Sequence, residues 1–403
     1  MDNDVSIIGG GLIGHSLVAA LSPLINMGLK VGIYESSLPY GGTSSYSPAF
    51  DDRCTALSIG SAKLFKNWNL WSQLKQHATA VNHIEVSEKD RFQTLTMEPP
   101  EPQTHLGYIV PNEWMGKCLI NNSQSLGVEC HYNQQIQTIS FASDFAELHL
   151  ESGDKVKSKL VIIADGGRSD LKKRLGIQSD VLDFNQVALV ANITTQNTHQ
   201  NSAFERFSHW GPMAMLPLSY HDQQKTSALV WSLPPDKAAE LLAMPKLSFL
   251  ESGQKQFGTR LGFWQNVSNI SSYPLQRSFS TEQVRSRLVL LGNSAVSLHP
   301  VAGQGFNIGL RAVSALSETI KLQYTKNSVG QLGELLTYQN LIYPDQQQLI
   351  HFCDALIKIH DTSTCHYPRS FALGLLDHHM ISKGIFTRKA MGLSPEQVFE
   401  RNI

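Results

Sequence analysis

The stretch DVSIIGGGLIGHSLVAALSPLINMGLKVGIYE, Asp4 to Glu35, decides how this chain folds. Val5 to Ile8 is a short apolar run that predicts a buried strand, and Gly9, Gly11 and Gly14 follow in GxGxxG spacing. Leu17, Val18 and Leu21 then recur at helical spacing. VGIYE predicts a second strand ending on Glu35, 21 residues after Gly14. Glycines allow a tight turn and bring a helix N-terminus close to a pyrophosphate, and a carboxylate ending the second strand suits ribose hydroxyls. A glycine-rich turn by itself is a weak signal. Strand, helix, second strand and acid together predict a dinucleotide-binding βαβ unit.

Two later segments extend this unit. KLVIIADGGRSDLKKRLGI carries a buried strand from Leu160 to Ala164, then Asp165 and Gly166, and predicts a helix from about Ser169. LLGNSAVSLHPVAGQGFNIGLR, Leu290 to Arg311, ends a strand at Gly292, passes Gly303, Gln304 and Gly305, and enters a helix. Glycines at such a helix start let something approach free backbone N–H groups.

Together these three segments resemble the fingerprints of the FAD-dependent aromatic hydroxylases: GxGxxG, the DG motif, and the GD motif with its PxxGQGxNxG continuation. Pro300, Gly303, Gln304, Gly305, Asn307 and Gly309 match that continuation in register. The resemblance implies a flavin ring against the Pro300–Asn307 loop, where the helix N-terminus would stabilise an anionic reduced flavin. One position departs from the family. Gly292 is followed by Asn293, an uncharged hydrogen-bonding group, where most members carry an aspartate. That change is found in the ubiquinone-biosynthesis branch acting on 2-polyprenyl-6-methoxyphenol, which FDDRCTALS (50–58) and AFERFSHWGPMAMLPL (203–218) also resemble. By resemblance the cofactor contacts are Gly9, Gly11, Gly14, Glu35, Arg53, Asp165, Gly166, Asn293, Gly303, Gly305, Phe306 and Asn307. Pro300, Gly303, Gln304 and Gly305 are the loop at the reacting face.

The expected fold is α/β: a Rossmann-like FAD-binding domain, an inserted antiparallel-sheet substrate domain and a helical C-terminus. Residues 1–80, 103–180 and 273–325 are assigned to FAD binding, 81–102 and 181–272 to the substrate domain, and 326–403 to the helical region. In FNQVALVANITT, Val187, Leu189, Ala191 and Ile193 share one face of a predicted half-buried strand. Met213, Met215, Leu216 and Pro217 suit either a pocket wall for a greasy phenol or plain core. Further on, Leu349, Phe352, Cys353, Leu356 and Ile359 form one helical stripe. The tail places Lys383, Arg388 and Lys389 among apolar residues, which suits a helix packed on the FAD domain or one lying on a membrane surface.

Bulk properties narrow the function classes. The 403 residues carry 33 basic and 34 acidic side chains, so there is no electrostatic footprint for nucleic acid. Five scattered cysteines without CxxC fit a reducing compartment. No metal pattern is present, and the adjacent His378 and His379 point apart on a helix. The N-terminus lacks a secretory pattern, and no apolar run reaches the roughly 18 residues of a membrane helix. A cytoplasmic protein is expected, peripheral to the inner membrane if the tail docks there.

The resemblance implies a monooxygenase. No second GxGxxG is present, so NAD(P)H, as the reductant the resemblance implies, would visit rather than occupy a Rossmann domain of its own. By the same resemblance, dioxygen would react with reduced flavin to give a C4a-hydroperoxide, whose distal oxygen would pass to a polyprenylated methoxyphenol. Other ubiquinone-biosynthesis proteins are candidate partners. The sequence names no catalytic base, and His299 before Pro300 suits a structural role as well as a chemical one. A sister hydroxylase, a flavin reductase and a non-catalytic FAD-binding scaffold remain open.

Overall fold

The apolar runs of the three motif segments lie side by side. In the computed structural model, which describes residues 2–38, 53–90, 94–99, 103–219, 225–300 and 303–361, strand Asn3–Ile8 is sandwiched between Lys155–Ile163 and Val31–Glu35. Leu288–Leu290 and Glu129–Tyr132 extend the sheet on either side, all in parallel. A parallel sheet needs cover on both faces. Here Val5, Ile7, Ile33, Leu160 and Ile162 pack beneath Leu17, Val18, Leu21, Val313 and Leu316 from two helices. Ile8, Val161, Ile163 and Leu290 fill the opposite face.

Those two helices, Leu12–Ala20 and Gly305–Thr325, both begin next to strand ends. The second buries Val313, Leu316 and Ile320 against the parallel sheet, Leu310 against Leu57 and Phe65, and Ile308 against Phe279 and Val296. Burial of each such side chain contributes about 1.5–3 kcal/mol, enough to fix where the helix begins. The Asp165 segment turns into one helical turn, Leu171–Arg174, shorter than the sequence suggests.

A second sheet has the order Val296–Ser297, Ser271–Ser280, Ser179–Thr195, Thr226–Leu233, Gly211–Leu218, Ser202–Ser208, His83–Glu88 and Thr94–Met97. Its pairs are antiparallel except Ser202–Ser208 with His83–Glu88. The long strands Ser179–Thr195 and Ser271–Ser280 both belong to this sheet and run through positions 180 and 272 without a break. A small sheet of Cys54–Ser58, Gly107–Pro111 and Thr79–Val81 lies between the two.

Helices cover one face of the second sheet, and part of the other face lines a cavity. Leu189, Ala191, Ile193, Met213 and Met215 face Leu241, Phe249 and Phe257 of two helices, Pro235–Ala243 and Lys246–Phe257. Ala188 and Val190 pack with Leu275 on the other side.

Helix Leu332–Asp361 is pinned to the rest of the chain. Arg277 donates to Asp354 at 2.6 Å and to Asp180 at 2.8 Å, Arg311 donates to Asp345 at 2.7 Å, and the Gln283 and Gln346 amides pair at 2.7 Å. Residues 362–403, with His378, His379, Lys383, Arg388 and Lys389, lie outside the described residues. No helix among the described residues is long and apolar enough to cross a membrane.

Candidate active site

One cavity of about 990 Å³ runs from the glycine turns of the parallel sheet to the inner face of the second sheet. Ligand pockets commonly span about 300–1,000 Å³, so there is room for a large cofactor or several ligands. Gly9, Gly11, Glu35, Arg53, Asp165, Gly166, Asn293, Pro300, Gly303, Gln304, Gly305, Phe306 and Asn307 all line it. Gly14 does not, because it packs inward.

The glycines of the first turn differ in what they do. At Gly9 the backbone has φ +112°, and an added Cβ would lie 2.4 Å from the Ala164 carbonyl oxygen. At Gly14 it would lie 2.1 Å from the Gly9 oxygen. Both let backbones touch. Gly11, the N-cap of helix Leu12–Ala20, has nothing within 4 Å of such a Cβ and makes no side-chain cap bond. The helix's first N–H groups therefore face the cavity. Glu35 sits beside this turn, accepting from the Gly10 N–H at 2.7 Å, the Ser37 N–H at 3.0 Å and the Ser37 hydroxyl at 2.8 Å.

Asp165 forms the next wall and is held by the third motif. It accepts from the Gly167 N–H at 2.9 Å, the Ser294 hydroxyl at 2.5 Å and the Ser169 hydroxyl. Lys172 donates to the Ser294 carbonyl at 2.9 Å, and burial lowers its pKa. Gly292 stands at φ +63° against Ile13, and the exposed Asn293 side chain has no protein hydrogen-bond partner among the described residues.

At the third turn the Gly303 N–H closes onto the Pro300 carbonyl at 2.8 Å. Gly303 has φ +59° and stands against Ala56, whereas Gly305 opens onto free space at the N-terminus of its helix. Gln304, the N-cap residue, makes no side-chain cap bond. Asn307 is a tie between segments. Its Oδ1 accepts from the Ser58 N–H at 2.9 Å and the Ser61 hydroxyl at 2.7 Å, while Nδ2 donates to the carbonyls of Ala56 at 2.9 Å and Gly303 at 3.1 Å. The side chain is 1% exposed, so it holds the loop against strand Cys54–Ser58 with all its bonding capacity used.

Arg53 lies over the Tyr273 ring at 4.8 Å. The buried His299 contacts the Gln186 amide oxygen at 3.2 Å and meets the Phe184 ring edge-on. The sheet end of the cavity is apolar, with Val86, Leu95, Met97, Phe207, Leu216 and Val230. Met213 and Met215 are not among these residues. Side chains alternate along strand Gly211–Leu218, so Pro212, Ala214 and Leu216 face the cavity and the methionines enter the core. Sequence reasoning missed Glu205, Tyr108 and Phe352, which also line the cavity. Phe352 sat on the helical stripe already noted, and Glu205 lay unmarked inside AFERF.

The residues present fit FAD. Two helix N-termini without side-chain caps border one cavity, with a carboxylate at the strand end beside the first and an apolar sheet beyond the second. This is the architecture of a two-sheet flavoprotein oxygenase. The chain belongs to the FAD binding domain family, whose model matches residues 2–352. It is an FAD-dependent aromatic-ring monooxygenase.

Ubiquinone hydroxylase UbiL of Rhodospirillum rubrum is 30% identical over 400 residues, covering 98% of this chain and 91% of that protein. The human mitochondrial ubiquinone biosynthesis monooxygenase COQ6 is 25% identical, covering 89% and 86%. Among solved structures, p-nitrophenol 4-monooxygenase PnpA of Pseudomonas putida has a TM-score of 0.79 at 16% identity, covering 98% of this chain and 99% of that one. That likeness is one of fold.

Proposed function

We propose that this monooxygenase acts in ubiquinone biosynthesis, hydroxylating 2-polyprenyl-6-methoxyphenol at the carbon para to its phenol oxygen. The observation that carries the reading is the continuity of one cavity from the uncapped helix N-terminus at Gly305 to the apolar wall of the second sheet. Asn293 and the motif that follows it support this branch, as do the names of the similar ubiquinone hydroxylases. Both ortho carbons of that phenol carry substituents, and the para carbon keeps a hydrogen.

Bound FAD supplies the redox chemistry, taking electrons from a visiting NAD(P)H and activating dioxygen. The chain supplies position and charge. Gly9, Gly11 and Gly14 shape the turn that would hold the pyrophosphate, and Glu35 would meet a ribose. Asp165 and Asn293 would bind along the ribityl chain, with Arg53 near the ring. The Pro300–Gly305 loop would present N–H groups to the flavin's pyrimidine edge, where negative charge develops on reduction. Phe207, Leu216 and Val230 would exclude water from the reacting ring. In this reading 1–80, 103–180 and 273–325 form the flavin unit, while 81–102 and 181–272 form the substrate unit.

The test is lipid extraction from an aerobically grown strain lacking the gene. Accumulation of 2-polyprenyl-6-methoxyphenol is expected. A precursor at another hydroxylation stage would move the assignment to a sister reaction, and normal ubiquinone would remove the chain from the pathway.

A further inference from the structure

The apolar end of the cavity contains one carboxyl group. Glu205 stands on strand Ser202–Ser208, opposite Ala214 on one neighbour and Val86 on the other, and Ala214 in turn stands opposite Val230. This row of four crosses the sheet, and all four residues line the cavity. Among the described residues of the second sheet, Glu205 is the only ionisable side chain that lines it. It has no hydrogen-bonding or ionic partner among the described residues.

Neighbouring charges are arranged differently. Arg206, one residue on, faces away and donates to the Gln256 carbonyl at 3.1 Å. Glu85, beside Val86, also faces away and pairs with Arg260. The other titratable groups that face this region are Glu88, further along the same sheet face, and Arg53, Tyr108 and His299 across the cavity. Strands Gly211–Leu218 and Thr226–Leu233 contribute none.

A half-buried carboxyl with no protein partner gains nothing from its apolar neighbours, and a glutamine in its place keeps the shape. Such a group is a candidate for chemistry. Enclosure in the apolar wall pushes Glu205 up to about 7, close to the pH at which a general base works best, while the cavity leaves the side chain partly open to solvent.

We propose that Glu205 is a catalytic residue that holds the phenolic hydroxyl of the substrate and accepts its proton as the para carbon is attacked. This rests on the monooxygenase reading above. In the step, the phenol O–H bond breaks and a carboxyl O–H bond forms. The oxygen's electron pair becomes the C=O of a dienone. The para carbon bonds one oxygen atom of dioxygen as the O–O bond breaks, and the second oxygen leaves as water with the two electrons that NAD(P)H supplied and protons from solvent. Loss of the para hydrogen as a proton restores the aromatic ring, and the proton on Glu205 returns to the product oxygen. A simple phenol titrates near 10, about three units above this acid, so the bound phenol stays largely neutral until the ring is attacked.

The test uses FAD-loaded protein, 2-methoxy-6-prenylphenol and NAD(P)H. In the wild type, kcat/KM should rise about tenfold per pH unit below about 7 and then level off. In Glu205→Gln that limb should vanish and the plateau should fall about 100-fold or more, the usual scale for loss of a general base. FAD stoichiometry and melting temperature should hold, because Gln keeps the shape. Glu205→Asp, which retains a carboxyl, should keep the limb at reduced rate. Full hydroxylation by Glu205→Gln with an unchanged limb would overturn the assignment alone. Failure of the wild-type holoprotein to bind the phenol at any pH, followed through the flavin absorbance, would overturn the parent reading and this assignment with it.

Discussion

Replacing Asn307 with alanine separates a residue that touches the flavin from one that builds the flavin's seat. The side chain makes four hydrogen bonds in a site 1% exposed. Each is worth about 1 kcal/mol net, and the buried Ser58 N–H left unpaired adds about 1–3 kcal/mol. Shared partners make these values less than additive, so the expected destabilisation is about 3–5 kcal/mol. The loss should be present in the flavin-free protein, since all four partners belong to the chain. Urea unfolding of apo and FAD-loaded protein, followed by circular dichroism, measures both. The loop from Gly303 would also detach from strand Cys54–Ser58, so oxygen transfer should uncouple from NAD(P)H oxidation. An apo-protein loss under about 1 kcal/mol, with the holo-protein strongly affected, would refute the tie and make Asn307 a direct ligand.

The two loop glycines should separate in the same way. Gly305→Val points into open space and should leave the apo melting temperature unchanged while abolishing turnover, whereas Gly303→Val meets Ala56 at φ +59° and should lower that temperature itself. Equal melting of the two variants would show that the turn is not strained. Glu35→Ala removes the acceptor for Gly10 and Ser37, and FAD affinity should fall about 10- to 100-fold, given about 1.5–3 kcal/mol for a hydrogen bond to a charged group. Fluorescence titration with FAD reads this directly. His15 is buried against the Ser123 hydroxyl at 2.8 Å, and burial pulls its imidazole from 6.5 down to about 4. Below 6.5 the unfolded chain takes up this proton and the folded chain does not, so stability falls as pH drops. The total loss is about 3 kcal/mol between 6.5 and 4, visible as a declining urea midpoint that His15→Gln should flatten.

The sequence by itself determined the glycine turns at one end of the cavity. Motif spacing made Gly9, Gly14, Glu35 and Asp165 readable, although the contacts that require them, such as Gly9 against Ala164, come from distant segments. The backbone contacts at Gly9 and Gly14 are the closest in the turn because the pattern is a steric one. The substrate end was not readable in that way. Strand Gly211–Leu218 is apolar on both faces, and periodicity cannot say which face is core. That was decided by helices Pro235–Ala243 and Lys246–Phe257, which cover Met213 and Met215 and leave Ala214 and Leu216 to the cavity. The same choice of face turns Glu205 inward, beside residues more than a hundred positions away such as Val86. Asn307 shows the remaining gap. Its motif marked it as belonging to the site, but only the approach of Ala56, Ser58 and Ser61 revealed that its bonds are spent on the protein. Local chain geometry is written in neighbouring residues, whereas the surroundings of a side chain depend on which distant segments the fold brings against it.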